Sequence, residues 1–98
     1  MQAYKSGSSV NMIQSKYRVE TSPMNGGVQH TYKFPNGYGA SVIRHEGSYG
    51  YSQGLWELAV LDGDDLCYST PVASDVLGYL TEEDVLIKLG EIKGLKWD

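Results

Sequence analysis

The sequence predicts an α+β domain: an antiparallel sheet of four to five strands with a C-terminal helix packed on one face. Two observations predict it. From Ile13 to about His45, apolar residues recur with a period of two and are interrupted by clusters of Gly, Asn and Pro, the pattern of half-buried strands joined by tight turns. From Val85 to Ile92 the period lengthens to that of a helix, with one apolar stripe to bury. Strands followed by a helix, without strand–helix alternation, make an α+β chain and not a doubly wound nucleotide-binding one. Ninety-eight residues suffice for one hydrophobic core.

The first eleven residues include Lys5-Ser-Gly-Ser-Ser9, a linker-like composition, so a flexible segment is expected over 1–11 and a single domain over 12–98. Met12 is a second plausible start for the folded part. Ile13, Tyr17 and Val19 then alternate with Gln14, Lys16, Arg18 and Glu20, which predicts a first strand ended by Ser22-Pro-Met-Asn-Gly-Gly27. Val28, His30, Tyr32 and Phe34 alternate with Gln29, Thr31 and Lys33 in a second. Pro35-Asn-Gly37 closes a hairpin, since Asn-Gly supplies the positive φ angles of a tight turn. With Phe34 opposite Tyr38, His30 should face Val42. The third strand runs from Tyr38 to about His45.

Leu55-Trp-Glu-Leu-Ala-Val-Leu61 is apolar on both faces except at Glu57, as a central or covered strand would be. Asp62-Gly-Asp-Asp65 is the next turn, and Leu66-Cys-Tyr-Ser69 returns as a short strand. Ser74–Leu80 reads as a short helical turn weakened by Gly78. Thr81 is the N-cap of the final helix, with Glu82, Glu83 and Asp84 in its first turn. Val85, Leu86, Leu89 and Ile92 form its stripe, which should lie on Trp56, Leu58 or Val60. Gly94 stands where a left-handed residue ends a helix, and Leu95 could fold back on the last turn.

Composition narrows the function classes. The net charge of −4 conceals an asymmetry: residues 51–98 carry three lysines against ten carboxylates. That argues against direct nucleic-acid binding by this half, because phosphate neutralisation needs Lys and Arg. Asp62, Asp64, Asp65, Glu82 and Glu83 are its candidate acidic surface, either a solvated face or a dock for a basic partner. No run approaches a membrane span, and the polar N-terminus lacks a signal-peptide core. With Cys67 the sole cysteine, no internal disulfide can form, and a cytoplasmic location is expected.

No catalytic or metal motif emerges. Gly37-Tyr-Gly39 lacks the third glycine of a dinucleotide fingerprint, and Gly47–Gly54 lacks the Gly-Lys-Ser/Thr ending of a P-loop. The spacing in Asp62–Asp65 is not that of a calcium loop. His30 and His45 should lie too far apart to share a metal. Cys67 reads as a small packed residue. His45-Glu46 is an acid/base pair in composition only, without a nucleophile or oxyanion site beside it. No cofactor and no metal are expected.

One segment does suggest binding. Gly47-Ser-Tyr-Gly-Tyr-Ser-Gln-Gly54 joins two strands with three glycines, two tyrosines and no charge. Tyrosine in a glycine-rich loop offers a flat apolar face and a hydroxyl at low entropic cost. Tyr49, Tyr51, Ser48, Gln53, His45 and Glu46 are the candidate binding residues. Sheet-end packing by the tyrosines is the competing reading.

Asn36-Gly-Tyr-Gly-Ala-Ser-Val-Ile-Arg-His-Glu-Gly-Ser-Tyr-Gly50, followed by Gly54-Leu-Trp-Glu-Leu-Ala-Val-Leu61, resembles the central block of small uncharacterised accessory proteins of tailed bacteriophages and prophages. Tyr68-Ser-Thr-Pro71, Asp75-Val-Leu-Gly-Tyr-Leu-Thr81 and the helix after it fit the same group; the first 35 residues do not. The resemblance implies a phage protein acting in a bacterial host cell and carries over no active-site residue. By analogy it suggests an inhibitor that binds a host protein, for instance a CRISPR effector. A non-enzymatic binding protein is the expectation; the alternative is a small-molecule or nucleotide binder using the Gly/Tyr-rich loop. A homodimer is left open.

Overall fold

The computed structural model describes residues 15–96. The segment 1–11, Met12 and the first two strand positions, Ile13 and Gln14, lie outside the described residues. Within them, six strands and one helix follow in the order β1 (Arg18–Met24), β2 (Gly27–Lys33), β3 (Tyr38–Arg44), β4 (Trp56–Asp62), β5 (Asp65–Leu66), β6 (Leu77–Leu80) and α1 (Glu82–Lys93). The sheet is antiparallel, with neighbours β1-β2-β3-β4 and both β5 and β6 on the outer edge of β4. This is the expected α+β fold.

The first hairpin departs from expectation in its details. A 3-10 turn over Ser15–Tyr17 precedes β1, and β1 continues through Pro23 to Met24 instead of ending at Ser22. As an edge strand, β1 tolerates a proline that a central strand would reject. A bulge between Arg18 and Glu20 turns Val19 outward, exposed and not core-facing. The reversal is made by Asn25 and Gly26, φ 42° and 78°, the mirror-image turn that matches strand twist.

In the second hairpin His30 faces Val42, as the sequence indicates. Its turn has three residues: Phe34 N–H donates to the Tyr38 carbonyl at 2.8 Å and Gly37 N–H to the Phe34 carbonyl at 3.1 Å. Only Gly37 of this turn has positive φ.

The segment Ser74–Leu80 corrects the helical-turn expectation. Its last four residues are β6, with Leu80 opposite Trp56 and Leu77 opposite Leu58. β4 has a free edge whose backbone groups need partners, and Gly78 gives a helix little intrinsic support. The return strand after Asp62–Asp65 is also shorter than expected, only Asp65–Leu66. Because β5 and β6 run in the same direction along β4, residues 67–76 form an excursion between two parts of one edge. That excursion places Ala73 in the core.

α1 starts in a capping box. Thr81 Oγ1 accepts from Asp84 N–H at 3.1 Å, and Asp84 Oδ2 accepts from Thr81 N–H at 3.1 Å. Its far end is finished differently from the sequence pattern: Gly94 is right-handed, φ −86°. The Asn36 side-chain amide instead donates to the carbonyls of Ile92, Lys93 and Leu95 at 2.8, 3.0 and 2.9 Å. The β2–β3 turn thereby satisfies carbonyls that a left-handed glycine would otherwise have served.

Val85, Leu89 and Ile92 are buried against Tyr32, Ala40, Val42, Trp56, Leu58 and Val60, with Leu95 packed on the same cluster. The helix leaves β6 beside Trp56 and ends against Asn36, near Tyr38, which pairs with Asp62. It therefore runs alongside β4 from the Trp56 end to the Asp62 end, about 20 Å at strand rise. These two ends define where the candidate residues lie.

Candidate functional site

The β3–β4 connection, residues 45–55, crosses the Trp56 end of the sheet. It is held by its own hydrogen bonds and by two to the first hairpin and β4. Glu46 N–H donates to the Asn25 carbonyl, Ser48 N–H to His45, Tyr51 N–H to Ser48, and both Gln53 and Leu55 N–H to the Gly50 carbonyl. Gly54 N–H reaches the Tyr51 carbonyl, Gly47 N–H the His45 Nδ1 and Tyr49 N–H the Glu57 Oε1, at 3.0 and 2.9 Å. A loop that cradles phosphate must aim several N–H groups at the ligand. With His45 N–H, which donates to Ser48 Oγ, nine are already engaged, which weighs against an anion seated in the loop.

The candidate binding residues divide accordingly. Ser48 is 9% exposed, and its hydroxyl accepts from His45 N–H at 3.0 Å and donates to the His45 carbonyl at 2.9 Å. Buried and doubly bonded to His45, it holds the turn at the start of the loop. His45 uses Nδ1 to accept from Gly47, which places its proton on Nε2 when neutral. The exposed Glu46 lies against Gly26 of the first hairpin. Gln53 is exposed and Tyr51 half-buried.

Tyr49 stands apart. The residue is 61% exposed, and its ring stacks on that of Tyr79 of β6, itself 57% exposed, with centroids 6.2 Å apart and planes inclined by 28°. Each tyrosine sits over a glycine adjoining the other. A Cβ on Gly78 would fall 2.8 Å from Tyr49 Cβ, and one on Gly50 would fall 3.2 Å from Tyr79 Cα. Tyr79 also has φ +57°, a left-handed conformation that costs a non-glycine residue about 1–2 kcal/mol. A glycine would make the same bend without that cost. Sequence reasoning missed Tyr79, because nothing local links it to Tyr49 until β6 is paired with β4.

The other candidates lie elsewhere. Asp62, Asp64 and Asp65 belong to the far end of β4, where Lys33 Nζ pairs with Asp64 Oδ1 at 2.6 Å. This contact holds the Asp64 carboxyl below its ordinary value, through the hydrogen bond first and the charge of Lys33 second. Glu82 and Glu83 sit at the start of α1, at the tyrosine end. The acidic residues are thus split between two ends and do not make one surface.

Comparison with protein-family models, curated proteins and solved structures finds no match for this chain. The chemistry must be read from its own geometry. Among the described residues, no three His, Cys, Asp or Glu side chains group as a metal site. No helix among them is long and apolar enough to cross a membrane. His30 and His45 do not meet: His30 lies on β2, its Nδ1 2.9 Å from Thr21 Oγ1 and its ring 5.6 Å from that of Trp56. Cys67 is half-buried, with Sγ 3.5 Å from Ser69 Oγ.

Behind the loop, Arg44 lies over the Trp56 ring at 4.3 Å and donates to the Gly54 carbonyl at 3.2 Å. His30, also beside Trp56, has its pKa lowered, first by burial and then by Arg18 and Arg44. The folded protein thus keeps this imidazole neutral where the unfolded chain, near 6.5, would take up a proton. Stability should fall as pH drops through about 6.5 and level off below the folded pKa. Melting curves from pH 7.5 to 5 test this: His30→Gln should flatten the wild-type slope, and an unchanged slope would assign it to other groups.

Proposed function

We propose that this protein is a non-enzymatic binding protein whose contact surface centres on the Tyr49–Tyr79 pair. The observation that carries this reading is two stacked tyrosines, both more than half exposed, one of them on left-handed backbone. Aromatic anchors dominate the energetics of protein contacts, while large exposed rings bring little to a fold that leaves them in water. Following the phage-protein resemblance of the central block, the partner is a host protein in the bacterial cytoplasm. The role this suggests is inhibition of an antiviral defence, for instance a CRISPR effector. The engaged amides of the 45–55 loop disfavour the nucleotide-binding alternative.

Affinity capture from a bacterial lysate, with wild type and Tyr49→Ala side by side, tests the proposal. A partner retained by wild type should bind the variant at least about thirtyfold more weakly, the scale of a 2 kcal/mol hot spot. The melting temperature should move little, since the truncated ring is mostly solvated. A variant that keeps the partner, or loses stability and binding in proportion, would make the pair sheet-end packing.

A further inference from the structure

The charges around the tyrosine pair indicate what kind of group it receives. Glu57 adjoins Tyr49, one carboxylate oxygen accepting from Tyr49 N–H. Glu82 and Glu83 follow Tyr79 by three and four residues in the first turn of α1, with Asp84 beside them. Three carboxylates there outweigh the half-unit of positive charge at a helix N-terminus. The cations whose contacts are known lie elsewhere or are engaged. Arg44 covers Trp56 and holds Gly54. Lys33 pairs with Asp64 and Lys88 with Glu91. Lys16 and Lys93 lie over Tyr17, next to Phe34 and remote from Tyr49.

Tyrosine faces carry negative electrostatic potential, and a guanidinium or ammonium group set over one is attracted to it. A neighbouring carboxylate strengthens that preference. We infer that the Tyr49–Tyr79 surface receives an arginine or lysine side chain from a basic segment of the partner, with Glu57 as its counter-charge. This inference rests on the binding reading above and adds the chemistry of the partner. An acidic or phosphate-bearing partner would meet repulsion from Glu57, Glu82 and Glu83.

Octa-arginine serves as the probe, titrated into the full chain at low salt and followed by NMR. The ring resonances of Tyr49 and Tyr79 and the Tyr49 amide should shift together; octa-glutamate should leave them unmoved. Glu57→Gln removes the charge while keeping an oxygen that can accept from Tyr49 N–H. Tyr79→Gly removes the ring and relieves the left-handed backbone. Each should weaken octa-arginine binding about two- to fivefold, the scale of one exposed cation–π or ion-pair contact. Neither should lower the melting temperature appreciably. Shifts confined to Asp62–Asp65, or wild-type affinity in both variants, would overturn the inference. If Tyr49→Ala abolishes partner capture while octa-arginine ignores the tyrosines, the binding reading stands and the basic partner does not. If neither depends on the tyrosines, both fall.

Discussion

Leu89→Ala should destabilise this protein by about 2–5 kcal/mol, the range of fully buried leucine truncations. Leu89 is 0% exposed, at the centre of the α1 stripe between Val85 and Ile92 and over a sheet face that includes Val42, Leu58 and Val60. Sheet strands pinned by their own ladders cannot collapse into the space left behind, so the cavity penalty adds to the lost transfer energy. A domain of this size has about 5–15 kcal/mol in total, so much of its stability is at stake. Denaturant unfolding checks it: the midpoint should fall with the slope preserved. A midpoint equal to that of wild type would mean that α1 is not docked through this residue. Ile87→Ala on the same helix is the control, because Ile87 is largely exposed and its truncation should cost little.

The parts of the fold legible in the sequence are those fixed by local period or local turn chemistry. The period of two exposed β2 and β3, and the Pro35–Gly37 turn set their register, so His30 opposite Val42 followed from counting alone. The Thr81 cap and the stripe behind it marked α1 for the same reason. What escaped was decided by groups far apart in the chain. Asn36 caps a helix more than fifty residues downstream, and no local pattern announces that partnership. β6 is a strand because β4 has an edge to fill, while its own four residues include a glycine and a left-handed tyrosine.

The candidate site divides in the same way. Tyr49 was legible as an unusual residue in an unusual loop. Ser48 looked like its companion but is spent on holding the turn at His45. Tyr79 became visible only through pairing. The acidic residues looked like one surface because they share the acidic C-terminal half, yet Asp62, Asp64 and Asp65 lie at the other end of β4 from the start of α1. Charge clustering along a chain is weak information about charge clustering in space.

Gly50→Ala should cost about 2–5 kcal/mol and Gly54→Ala only about 1–2 kcal/mol, although both glycines stand at positive φ in the same loop, 87° and 74°. The left-handed backbone penalty is common to both. They differ in what a new methyl group would meet. At Gly54 nothing lies within 4 Å, whereas at Gly50 the methyl would come within 2.9 Å of Leu55 Cβ and 3.2 Å of Tyr79 Cα. Those atoms cannot rotate aside, so the loop must lift from β6 and separate Tyr49 from Tyr79, a strain of the overpacking kind. Thermal unfolding of the two variants gives the comparison, and the Tyr49 and Tyr79 ring resonances report whether the pair has parted. Equal losses, with the rings still in contact, would mean that the loop is not seated on β6 through Gly50. A larger loss at Gly50 with separated rings would make this glycine the hinge on which the aromatic surface depends.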